Sequence, residues 1–219
     1  MPLTMRLWIV CLCALLASCQ TGLQPRVSLD YTVELGRAEQ QIERQEFTAA
    51  VSLLESLTRA FPEQPAPWRL LGGIYDLEQR PGQALETFKR GLESVTPSTS
   101  GYADLALQTT LLCIHRPELA YDPQLPLQHL SSSDPRRELA TAAQEAQQGH
   151  DVQALRRIIA LLKQPLPKPI ISEIYFLAAK IYIRMKEQMY VNESLFHAVN
   201  FSTSPVLVLR IERLWTPSP

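Results

Sequence analysis

A chain of 219 residues can hold one compact domain or a short repeat array, but not several large domains. Its 21 Lys+Arg against 22 Asp+Glu create no strong net field, which argues against a nucleic-acid partner. Prolines outnumber glycines 17 to 8, a balance that suits helices punctuated by proline better than a glycine-turned β fold.

The first residues belong to targeting rather than to the fold. Arg6 is the single charge before the apolar run from Leu7 to Ala17. That run is about half the ~20 residues that a membrane-spanning helix needs, and it has the length of a signal-peptide apolar region. It ends in Leu16-Ala17-Ser18-Cys19, which resembles the lipobox of bacterial lipoproteins, where the cysteine is acylated before cleavage. The resemblance implies a signal peptide over 1–18, Cys19 as the lipidated first mature residue, and a tether over 19–29. Because Gln20 rather than Asp follows the cysteine, it also implies an outer-membrane location, held by acyl chains on the periplasmic side. The alternative is an ordinary secretory signal with Cys19 incidental, which gives a secreted repeat protein without lipid. Loss of Cys11 and Cys13 leaves Cys113 unpaired, so no intramolecular disulfide framework is expected.

Periodicity appears next. Trp68-Arg69-Leu70-Leu71-Gly72-Gly73-Ile74-Tyr75 carries the pattern W-x2-L-G-x2-Y, and Ala84 and Phe88 add A-x3-F, with Pro97 beyond. Small residues at 72 and 84 suit a close helix crossing, with Trp68, Leu71, Tyr75 and Phe88 filling the space around it. Pro81 fits the first position of the second helix, where a missing N–H costs nothing. This unit resembles a tetratricopeptide repeat. One period of roughly 34 residues upstream, Ala38, Ala50 and Leu54 stand for Gly72, Ala84 and Phe88, without the aromatics. One period downstream, Tyr102, Leu105 and Ala106 begin a copy that His115-Arg116-Pro117 interrupts.

Residues 30–114 thus read as N-terminal repeats, and 115–133 as an irregular proline-rich connection, long enough to suggest a functional or mobile loop. Degenerate repeats are expected over 134–203. Asp134 would cap a helix begun by Pro135, and Leu139, Ala142 and Ala143 share its face; Gly149 would end it and Asp151 cap the next. Ala154, Ile158 and Leu161 follow, then Ile174, Tyr175, Ala178, Ile181 and Tyr182, then Val191, Leu195 and Ala198. Residues 204–219 read as a capping helix and tail, with Leu207, Ile211, Leu214 and Trp215 on one face; a strand over Val206–Ile211 competes with that reading. The fold class is therefore all-α: a tetratricopeptide-like helical-repeat array, or α-solenoid, of about ten helices.

In such arrays the first helices line a concave face that binds peptides or helices. Arg69, Gly73 and Asp76 lie on the remaining arc of the clearest first helix, joined by Leu35 and Glu39 before it and Leu107 after it. These are the candidate partner contacts, with the Pro117–Pro135 connection expected at the border of the site. Only Arg69 offers a basic group there, so the terminal-carboxylate clamp of peptide-binding family members is not expected. His115, His129, His150 and His197 are scattered, Cys113 sits in an apolar helix run, and no phosphate loop or nucleophile elbow occurs. The residues point to no catalytic group, metal, cofactor or small-molecule substrate. The resemblance to repeat-containing envelope lipoproteins implies a non-enzymatic scaffold for an envelope protein, of the pilotin or assembly-factor kind. The rivals are a regulator or accessory subunit of a cell-wall enzyme.

Overall fold

The computed structural model describes residues 30–215, so Cys19 and the tether lie outside the described residues. The described residues contain ten α-helices and two short 3-10 turns, with no strand. They are α1 Tyr31–Glu43, α2 Phe47–Ala60, α3 Pro65–Leu77, α4 Pro81–Ser94 and α5 Tyr102–His115, then the turns Pro117–Leu119 and Leu125–Leu127. There follow α6 Pro135–Gln147, α7 Asp151–Leu162, α8 Lys168–Met185, α9 Gln188–Phe201 and α10 Pro205–Trp215. Proline opens α3, α4, α6 and α10, where its ring presets the helical φ and its absent N–H would have had no partner.

Short connections make helical hairpins of α1–α2, α3–α4, α6–α7 and α8–α9, which pack in chain order with the single helix α5 between α4 and α6. The close crossing of α3 and α4 follows from Gly72: a Cβ there would clash with the Phe88 ring, itself fully buried. The equivalent positions Ala38 and Ala106 are also fully buried, as are Ala50 and Ala84. Trp68 donates its indole N–H to the Pro62 carbonyl at 2.9 Å, which satisfies the one polar atom of a buried ring. Gly91 takes part in the same packing, since a Cβ there would come within 2.8 Å of the Trp68 ring.

The third copy has no second helix. In its place the Leu125–Leu127 turn packs on α5 and drives Leu127, with 0% exposure, into the core. Thr110 Oγ1 donates to the Pro123 carbonyl at 2.9 Å, and Arg137 donates to the carbonyls of Leu127, Leu130 and Ser131. The connection expected to be irregular is thus pinned at both ends, because its backbone acceptors are met by side chains of α5 and α6. Leu127→Ala is expected to cost about 3 kcal/mol, read as a lower midpoint in urea with an unchanged slope. A change within 0.5 kcal/mol would mean that this turn is not part of the core.

Asp134 caps α6 through Oδ1, which accepts from the Arg136 amide at 2.9 Å. Asp151 does not cap α7: it is the first helical residue, and its carboxylate pairs with Arg184 of α8. Gly149 takes a left-handed φ of +83° between the two helices, a conformation that favours glycine.

The last segment forms a helix, not a strand, and it does not simply cap the end of the array. Val206, Leu207, Leu209 and Ile211 are all buried, whereas Leu214 and Trp215 are exposed. Leu207 and Ile211 join a cluster with Ala179, Val191, Leu195 and Ala198, while α10 also packs on α1 and α3. A terminal cap buries one stripe; α10 buries side chains in several directions because it lies back across the first helices.

Candidate functional site on the inner face

The sequence left Arg69, Gly73 and Asp76 open on one arc of α3. In the folded chain α10 covers part of that arc. A Cβ on Gly73 would stand 2.8 Å from a Val206 methyl, so the missing side chain is what lets α10 approach. Asp76 pairs with Arg210 at 2.6 Å, both groups about one-fifth exposed. Arg213 donates to the Leu77 carbonyl at 2.6 Å, one of the last-turn acceptors that a helix end leaves without an intrahelical partner.

Arg210 also donates to Gln108 Oε1 at 3.3 Å, and the amide of Gln108 donates to Glu173. One polar chain therefore runs from α3 through α10 and α5 to α8. Glu173 is only 7% exposed; burial raises its carboxyl pKa above the ordinary range, and nearby Arg210 and the Gln108 amide partly offset that. Asp76, Gln108, Glu173 and Arg210 are widely spaced along the sequence, so no motif announces them. A signal was present: Glu173 interrupts the apolar face formed by Ile170, Ile174 and Leu177.

Beside this network lies a cavity of about 440 Å³, walled by α3, α5, α6, α8 and α10. Leu77, Leu111, Leu112, Phe176, Leu177 and Leu214 supply its apolar surface, with Arg116, Lys180, Arg210 and Arg213 around them. His115 belongs to it as a neutral ring: burial, then the nearby Lys180 cation, lower its pKa to about 4, while its Nδ1 meets the Leu111 carbonyl. Lys180 is half-buried and makes no ion pair among the described residues; its ammonium stands 5.9 Å from the Phe176 ring centre. Burial first, and then Arg210 and Arg184, lower its pKa from 10.5 to about 8.

An ammonium whose pKa falls on folding costs stability in full below pH 8, and the cost fades as pH rises towards 10.5. Lys180→Met should therefore stabilise the protein by about 1–2 kcal/mol at pH 7, with a smaller gain at pH 10. Thermal melts at the two pH values check this; a destabilised variant at pH 7 would mean that the ammonium has a partner in the fold.

The remaining sequence-derived candidates are dispersed. Leu107 is buried and Leu35 is half-buried, while Arg69 and Glu39 stand half-exposed on neighbouring first helices. Burial raises the Glu39 carboxyl pKa, and Arg69 opposes that shift. Glu39 borders a second depression with Glu43, Val208, Leu209 and Glu212; Arg69 and Leu107 border a smaller one with Gln108, Ser172 and Leu207. The Pro117–Pro135 connection borders neither. It lines a separate depression with Cys113, Gln144, Gln147 and Gln148, because Leu127 and Arg137 hold it against α5 and α6. Cys113 is buried, and burial pushes its thiol up to about 11, the condition of an inert core cysteine. The Arg156-Arg157 patch is half neutralised, since Arg157 reaches both Glu138 and Glu145. No His, Cys, Asp and Glu grouping among the described residues could hold a metal ion, and no described helix is long and apolar enough to cross a membrane.

This array of hairpins closed by an inner helix defines a tetratricopeptide-like helical-repeat protein of the all-α class. It is similar in fold to a tetratricopeptide repeat protein from Parabacteroides merdae, with 14% identity, a TM-score of 0.53, and 88% of this chain and 75% of that chain covered. YrrB, a tetratricopeptide repeat protein with an unusual peptide-binding site, aligns with 16% identity over 82% of this chain and 90% of its own, at a TM-score of 0.41. No protein-family model matches the chain, and no curated protein does.

Proposed function

We propose that this protein is a non-enzymatic scaffold that binds a partner protein of the bacterial envelope, held at the periplasmic side of the outer membrane by acyl chains on Cys19. The observation that carries protein binding is α10 itself. The inner groove accepts an amphipathic helix through Val206 against Gly73 and through the Arg210–Asp76 pair, which is the way a helix-in-groove partner is recognised. A partner segment would seat beside α10, where Arg69 and Glu39 flank the covered arc. Anchoring rests on Leu16-Ala17-Ser18-Cys19 and on the short apolar run before it.

Two measurements separate the parts of this reading. Mass spectrometry of the mature protein should find an acylated Cys19 at its amino terminus; an unmodified terminus at Ser18 would end the anchoring claim. For binding, the exchange Arg69→Glu with Glu39→Arg reverses both charges while keeping their mutual attraction. Cross-linked capture from intact envelopes should then fall at least tenfold with an unchanged melt. Capture that survives this exchange but fails with Met189→Asp and Phe196→Asp would place the partner on α9, where both side chains are more than half exposed.

A further inference from the structure

We propose that the cavity between α3, α5, α8 and α10 binds a small amphiphile with one anionic head, a monocarboxylate on an apolar chain, with its head at Lys180. The site combines a volume of about 440 Å³ with walls of Leu77, Leu111, Leu112, Phe176 and Leu177, the size and surface of a small-molecule pocket. Its charge is unbalanced: Arg116, Lys180, Arg210 and Arg213 face only Asp76 and Glu173.

The other charges already have work within the fold. Asp76 is taken by Arg210, Glu173 accepts from Gln108, Arg213 caps α3 at the Leu77 carbonyl, and Arg116 reaches Gln79 at 2.9 Å. Lys180 alone keeps an ammonium with no ion pair among the described residues, inside a largely apolar wall and beside the Phe176 ring; the Glu173 and Asp76 carboxyl groups act on it only from a distance, against Arg210 and Arg184. A partly dehydrated cation interacts strongly with an incoming carboxylate, because the low local dielectric enhances the attraction and the desolvation has already occurred on folding. The apolar walls then favour a ligand with a hydrocarbon body over a bare anion.

An extended peptide would need an open track along the groove, and α10 lies in that track, against α1 and α3. A compact ligand needs only the cavity. The site is independent of the partner surface proposed around Arg69 and Glu39.

The test is calorimetric titration of the full chain with four probes: decanoate below its aggregation threshold, butyrate, decanol, and a leucine-terminated pentapeptide with a free carboxylate. Decanoate should bind one to one, at least tenfold more tightly than either butyrate or decanol. Lys180→Met should weaken decanoate at least tenfold while leaving the protein folded, and Lys180→Arg should restore most of the affinity. The proposal is overturned if decanoate does not bind, or binds Lys180→Met as well as the unaltered chain. It is equally overturned if decanol matches decanoate, or if the pentapeptide binds more tightly than decanoate in a Lys180-dependent way, which would make a chain terminus the occupant.

Discussion

Gly72→Ala is expected to lower the melting temperature by roughly 5–10 °C, although alanine is the better helix former. The added methyl would overlap the Phe88 ring, and Phe88 is fully buried. Overpacking of this kind costs about 2–3 kcal/mol. Gly72→Leu should cost more and leave little folded protein at 37 °C. Gly36 supplies the contrast. It lies in α1 with nothing within 4 Å of its Cβ position, so Gly36→Ala should stabilise by about 0.5–1 kcal/mol through helix propensity alone. Combining Gly72→Ala with Phe88→Leu should recover part of the loss, because the two changes share one contact. If both glycines respond alike to alanine, the α3–α4 crossing is not where these residues place it.

The second large effect is at Asp76. Asp76→Lys sets a cation against Arg210, with Arg213 and Lys180 in the same cavity wall. The loss should be about 2–3 kcal/mol, below the 3–5 typical of a fully buried broken pair because both groups keep some solvent contact. The damage should also be local. Amide exchange should accelerate most over residues 205–215, since α10 contributes Arg210 and Val206 to the same surface, while α8 and α9 hold their protection. The swap Asp76→Arg with Arg210→Asp should restore much of the stability, whereas each single change lowers it. Equal losses in the swap and in the singles would show that the pair is not coupled.

The repeat was legible because its signal is local. Trp68, Gly72, Tyr75, Ala84 and Phe88 all lie in one hairpin, and a spacing within one hairpin is written directly in the sequence. The prolines Pro81 and Pro135 were legible for the same reason, since they stand where a helix begins, whereas Pro65, which opens α3, went unread. Leu127 was not, since a lone leucine in a proline-rich stretch has no periodicity to mark it as core. The inner face was least legible. Arg210 and Asp76 lie far apart in the chain, and the apolar residues of α10 suit a cap, a strand or an inner helix equally well. Only the closed array distinguishes these, because α10 finds Gly73 free of a side chain and a carboxylate at Asp76. The expectation that a single basic group serves the inner face was drawn from α1, α3 and α5 alone. Lys180, Arg210 and Arg213 reach the same space from α8 and α10.

Everything proposed for the cavity and for the partner surface depends on α10 lying across α3. The most direct measurement is a nuclear Overhauser contact between the Gly73 Hα protons and the Val206 methyls in the full chain. The structure gives a strong cross-peak, since a Cβ at Gly73 would be 2.8 Å from a Val206 methyl carbon. Absence of that cross-peak, with Val206 instead in contact only with α9, would leave the inner groove open and contradict the account.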